Sequence, residues 1–185
     1  NILIPSEETK VDMFPMDYEE FKWAIGDTAT IPLLRTAFEQ KISLGDAVHR
    51  RMMRDFRLYM LVGGMPQAVA EYIKTNNLSL VDIVKRDIIS LYEEDFRKID
   101  TSGRATAMFD AIPAQLSKNI SRYRVSTAIP GERNDRIADI VQALEDSMAA
   151  NIAYHSTDPN VGLALTKDNE RYKMYTCDTG LFITL

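Results

Sequence analysis

A chain of 185 residues, 45 % hydrophobic and carrying a net charge of −5, holds enough apolar material for one domain or two small ones, because domains run to about 100–150 residues. Its acidity argues against indiscriminate polyanion binding. Its longest apolar runs fall far short of the ~20 residues of a membrane span, and one cysteine, Cys177, excludes an internal disulfide framework. No signal-peptide pattern opens the chain. The expectation is a globular, cytoplasmic protein with no membrane partner.

The chain starts at Asn1 and ends in the apolar run Ile183-Thr184-Leu185, so both ends are expected to be cuts within a longer protein. Val11 to Phe14 reads as a brief strand closed by Pro15. Asp17, with Glu20 three residues on, reads as a capping box opening a short helix to Ile25, which Gly26 stops. Pro32 starts a second helix with Leu33, Leu34, Ala37 and Phe38 as its stripe, and Gly45-Asp46 caps a third over Ala47 to Val62. Arg50, Arg54 and Arg57 line one face of that third helix. They read as solvated charge, with a phosphate- or subunit-facing edge as the sharper alternative.

Gly63-Gly64 then breaks the chain and Pro66 opens a new helix, making Leu61 to Ala70 a hinge between two helical halves. Ser79, with Asp82 three residues later, is expected to cap the longest helix, Leu80 to Lys98, a scaffold. Asp100-Thr101-Ser102-Gly103 is a boundary signal, because residues 104–136 carry six cations against three acids, a local net charge of +3. Beyond it the pattern predicts a helix over Arg104 to Asn119 disturbed by Pro113, a short apolar helix or turn at Val125 to Ile129, and a helix over Asn134 to Ala150. Three short strands follow, Ile152 to His155, Leu163 to Thr166 and Tyr172 to Cys177, with a turn at Asp168-Asn169.

The fold class expected is mainly α: a helical, lid-like bundle over 17–102, then a winged-helix-like domain of three helices and a small antiparallel ribbon over 103–185. In a winged helix the third helix can enter a DNA major groove while the wing touches phosphate. That makes Arg122, Arg124, Arg133, Asn134, Arg136 and the wing lysines Lys167 and Lys173 candidate nucleic-acid contacts. The same architecture also serves as a plain protein–protein module, because fold does not fix function. A homo-oligomer is the third reading.

No self-contained active site is expected. None of the eight glycines is followed by lysine, so there is no phosphate-binding loop. His49 and His155 lack cysteine or carboxylate at ligand spacing, no Gly-x-Ser-x-Gly elbow exists, and Glu93-Glu94-Asp95 point in different directions on a helix. Neither a metal site nor catalytic residues are expected.

Four segments carry a resemblance: VDMFPMDYEEF at 11–21, LVGGMPQAV at 61–69, DIISLYEEDFRK at 87–98 and YKMYTCDTGL at 172–181. In that order the chain resembles the prokaryotic AAA-type ATPases that carry a C-terminal domain of unknown function. The resemblance implies that 1–16 is the remnant of an ATPase core whose Walker motifs lie upstream, and that a nuclease-like tail lies downstream. It also implies that Gly63, Gly64, Met65 and Pro66 approach the adenine side of a nucleotide, sensing it once the core is present. On that resemblance, the longer parent would use ATP and magnesium and would partner this chain with its missing core.

Overall fold

The computed structural model describes residues 9, 11–118, 120–133, 137–158, 160 and 162–185. Among them the chain is mainly helical with one small antiparallel sheet. In order come α1 (Tyr18–Ala24), α2 (Thr30–Gln40), α3 (Asp46–Val62), α4 (Pro66–Thr75), α5 (Leu78–Ile99), α6 (Arg104–Asp110), α7 (Ile112–Ser117), α8 (Val125–Ala128) and α9 (Ala138–Asp146). The strands β1 (Ala150–Ser156) and β2 (Lys167–Thr176) follow, then α10 (Thr179–Thr184).

Local chemistry sets the helix starts. The Asp17 carboxylate accepts the Glu20 N–H at 2.8 Å and Glu20 reaches back to the Asp17 N–H at 2.9 Å, a reciprocal cap for α1. Asp27 accepts the Ala29 and Thr30 N–H groups and the Thr30 hydroxyl ahead of α2. Gly63, at φ +84°, ends α3, and Pro66 sits in the first turn of α4 where its missing N–H leaves nothing unpaired.

The 22 residues of α5 form the spine, roughly 33 Å long at 1.5 Å per residue. Near its start Val81 joins Phe21, Val62, Ala68 and Val69. Midway Ile88 and Ile89 pack with Leu181 of α10. At its end Phe96 enters the largest cluster, with Met108, Phe109, Ile112, Tyr123, Ile137, Leu144, Tyr172 and Met174. One helix therefore carries three apolar clusters at successive heights, and α10 returns to lie against α3 and α5.

Several sequence expectations are corrected. Residues 11–16 form no strand; Met16 donates its N–H to the Gly64 carbonyl at 2.8 Å and the segment is otherwise irregular. The cap of α5 is Asn77, whose side chain accepts the Ser79 N–H, so the helix starts at Leu78 and not at Leu80. The helix expected over Arg104 to Asn119 is two helices divided at Ala111, because Pro113 cannot donate to the preceding turn; Asn119 lies outside the described residues.

Among the described residues, the helix expected over Asn134 to Ala150 is α9; residues 134–136 lie outside them. It stops at Asp146, the backbone turns through Met148 at φ +58°, and Ala150 begins β1 opposite Thr176. The ribbon has two strands and not three: Leu163 to Thr166 is a turn, and Asp168-Asn169 belongs to β2. Between Tyr154 and His155 the partner on β2 jumps from Tyr172 to Asp168, so residues 169–171 form a bulge, with the Asp168 side chain accepting the Glu170 N–H at 2.9 Å. The turn signal was real, and the ladder absorbed it.

Candidate nucleic-acid interface

The segment before α8 is held straight by a buried glutamine. Gln115 accepts the Arg124 N–H through Oε1 at 2.6 Å and donates through Nε2 to the Arg124 carbonyl at 3.0 Å. One residue earlier the Tyr123 N–H bonds the Tyr172 carbonyl at 2.7 Å, so this segment lies along the free edge of β2. The Tyr123 ring turns inward, stacked on Tyr172 with centroids 5.9 Å apart, and its hydroxyl reaches the Met108 carbonyl. Alternation along an extended chain then sends Arg122 and Arg124 to solvent, and both are exposed.

The same alternation operates on the ribbon. Tyr172 and Met174 are buried on the inner face, which leaves Arg171, Lys173 and Tyr175 on the outer one. Lys173 pairs with Ala153, whose methyl leaves space above the strand, and His155 stands exposed two residues further along β1. The result is an open groove of about 670 Å³ between the 121–124 segment and the ribbon, walled by Arg122, Arg124, Arg171, Lys173, His155 and Tyr154. A recess of about 290 Å³ continues it past Arg133, Glu132 and Glu170.

The charge of this groove is only partly neutralised. Arg171 lies 3.6 Å from Asp168, and Glu132 is drawn to Arg104 at 3.8 Å. Among the described residues, no carboxylate lies within ion-pair distance of Arg122, Arg124 or Lys173. Lys167 sits 3.5 Å from the centroid of the Tyr154 ring, a cation–π contact that ties it to the groove wall. Burial and the 2.9 Å bond to Glu145 push the Tyr154 phenol up to about 12, so it stays neutral.

Five of the seven expected nucleic-acid contacts, Arg122, Arg124, Arg133, Lys167 and Lys173, thus border one surface, though they come from segments some 45 residues apart. Asn134 and Arg136 lie outside the described residues. Sequence reasoning missed Arg171 and His155. The signal available for Arg171 was its two-residue spacing from Lys173. The described length of the third helix, α9, exposes Asp139, Gln142 and Asp146 and has no lysine or arginine.

The hinge is filled by its own chain. A Cβ on Gly63 would overlap the Asp178 carboxylate, one on Gly64 would overlap the Met16 carbonyl, and one on Gly180 would lie 2.8 Å from Gly63 Cα. Asp178 accepts the Gly64 N–H and, at 2.9 Å, the Leu181 N–H. Buried Lys85 bonds the Leu61 carbonyl at 2.9 Å and the Gly180 carbonyl at 3.3 Å. Burial pushes the Asp178 carboxyl up and the Lys85 ammonium down. Met65 and Pro66 wall a separate apolar recess of about 330 Å³ with Phe14, Tyr92, Met148 and Cys177. Burial raises the Cys177 thiol to about 11, so it is not an activated nucleophile.

Among the described residues, no three histidine, cysteine or acidic side chains come together as a metal site, and no helix is long and apolar enough to cross a membrane. A family model described as Domain of unknown function (DUF8612) matches residues 53–185, more than half of the chain, and the chain belongs to that family. No curated protein and no solved structure matches it. The AAA-type ATPase resemblance is corrected by these findings, since the family that matches is a different one and no curated protein or solved structure supports an ATPase. The missing core, ATP, magnesium and nuclease tail rested on that resemblance alone.

Proposed function

We propose that this DUF8612 chain binds the phosphate backbone of a nucleic acid in the groove between the 121–124 segment and the ribbon. The observation that carries the reading is the convergence of Arg122, Arg124, Arg171 and Lys173 on one open surface of a chain whose net charge is −5. Cations gathered against a chain's overall sign concentrate potential where a polyanion can use it. The order of α6, α7 with α8, α9 and then the ribbon supports a winged-helix-like reading of 103–185 in which the wing, and not the third helix, meets phosphate. Asp139, Glu145 and Asp146 on α9 oppose insertion of that helix into a major groove.

Titration of fluorescently labelled 20-nucleotide DNA at 50 and 200 mM salt tests it. The affinity is expected to fall about tenfold or more across that range, since each neutralised phosphate contributes roughly −0.7 to −0.9 to the log–log slope. No binding at 50 mM salt discards the reading.

Self-association is a second reading, favoured by Phe38 at 84 % exposure with Leu34 and Ile42 beside it on and after α2. A single species of monomer mass in sedimentation across a hundredfold range of concentration removes it.

A further inference from the structure

We infer that the groove's ligand is a single strand of nucleic acid and not a duplex, an inference that rests on the nucleic-acid reading above. Three features of the surface point that way. The first is the outer face of β2, where Tyr175 follows Lys173 at the next outward position, about 7 Å along the strand. Tyr175 is 39 % exposed, and among the described residues its ring has no aromatic partner and its hydroxyl no hydrogen bond. A cation followed by an open aromatic face, one strand repeat apart, matches the alternation of phosphate and unstacked base along an extended single strand. In a duplex the base faces are covered by stacking, and Tyr175 would have nothing to meet.

The second feature is the floor between them. Tyr175 pairs across the ladder with Asn151, and Lys173 with Ala153, so the outer face of β1 opposite both is low and lets a flat base lie on the sheet. Asn151 adds an amide that can bond a base edge. The third is the acidic flank. The Tyr154 hydroxyl bonds Glu145, which puts the C-terminal end of α9, with Asp146, beside the groove wall. A single strand confined to the ribbon avoids these carboxylates. A duplex, about 20 Å wide, would bring its second backbone toward them.

The test compares a labelled 20-nucleotide oligo(dT) with a 20-base-pair duplex at 50 mM salt, using the wild-type chain, Tyr175→Ala, Tyr175→Phe and Lys173→Ala. The single strand is expected to bind at least tenfold tighter than the duplex. Tyr175→Ala should weaken the single strand roughly tenfold, an alanine effect typical of one stacked base, and Tyr175→Phe should restore it. Tyr175→Ala should leave the salt slope unchanged, whereas Lys173→Ala should make it shallower. Duplex binding as tight as single-strand binding, or Tyr175→Ala without effect on the single strand, overturns the inference while leaving the groove reading in place. Failure of both oligonucleotides to bind overturns the groove reading and this inference with it.

Discussion

Asp178 accepts the backbone N–H of Gly64 across 114 positions of sequence, and the bond locks the hinge after α3 to the start of α10. Met16 closes the third side, donating its N–H to the Gly64 carbonyl at 2.8 Å. Asp178→Ala leaves the Gly64 and Leu181 N–H groups buried and unpaired, and is expected to destabilise the protein by about 3 kcal/mol, since each orphaned buried donor costs about 1–3 kcal/mol. Gly64→Ala should cost at least as much, because the obstacle is the Met16 carbonyl and backbone cannot rotate away. Gly26→Ala is the control: φ is +85° but no atom lies within 4 Å of the added methyl, so about 1 kcal/mol is expected. Urea unfolding midpoints check all three, and a Gly64→Ala loss no larger than that of Gly26→Ala contradicts the close packing.

Lys22 is a buried lysine that holds two carboxylates, Asp27 at 2.8 Å and Asp55 at 3.0 Å, at 2 % side-chain exposure. Its hydrogen bond, with that of Thr30, holds the Asp27 carboxyl far below the usual range. A depressed carboxylate contributes stability that is complete above the unfolded value of about 3.9 and is lost as pH falls toward the folded one. Burial works to lower Lys22, but the hydrogen bonds to Asp27 and Asp55 outweigh it and keep its pKa raised. Its contribution therefore persists up to the unfolded value of about 10.4 and is lost as pH rises through the folded one. Lys22→Met should cost roughly 3 kcal/mol at pH 7, as removing one partner of a buried ion pair does. It should also flatten the loss of stability between pH 4 and pH 2. Chemical denaturation at pH 7, 4 and 2 measures both, and an unchanged acid limb in the variant contradicts the assignment.

Two stacked tyrosines give opposite expectations. The Tyr123 hydroxyl donates to the Met108 carbonyl at 2.7 Å, whereas the buried Tyr172 hydroxyl has no partner among the described residues. Tyr123→Phe should cost about 1 kcal/mol by losing a satisfied bond, and Tyr172→Phe should be neutral or stabilising by up to about 1 kcal/mol by removing an unsatisfied one. Thermal unfolding of the two variants side by side reads the difference, and equal losses would show that Tyr172 has a partner.

What was legible in the chain was what depends on neighbours in sequence. The Asp17–Glu20 cap lies within one turn, and the apolar period of α5 identifies it as the spine without reference to any other element. Ala149 and Ala150 are helix formers, and they prolonged the expected third helix. Their burial and the pairing of Ala150 with Thr176 decide the strand, and that partner is 26 residues away. The hinge was visible as Gly63-Gly64, but its meaning was not, because the side chain that fills it belongs to Asp178. Arg122 and Arg124 were readable as cations. Their meeting with Arg171 and Lys173 depends on the ladder register and on the bulge at 169–171, neither of which a local pattern encodes.

The groove makes a quantitative demand on salt dependence. Arg122 and Lys173 come from separate segments and share no carboxylate partner among the described residues, so each alanine substitution removes one phosphate contact without disturbing an ion pair. Each should reduce the magnitude of the log–log salt slope by about 0.7 for a single strand, and the double substitution by about twice that, because the contacts are independent. Arg54→Ala, removing an exposed arginine on α3 whose carboxylate neighbour Asp55 lies 3.8 Å away, should leave the slope unchanged. All four variants should retain the wild-type melting temperature, since exposed charges contribute little to stability. A slope that falls equally for Arg54→Ala would mean that the chain's cations act as a diffuse cloud, and the groove would then hold no defined path for the strand.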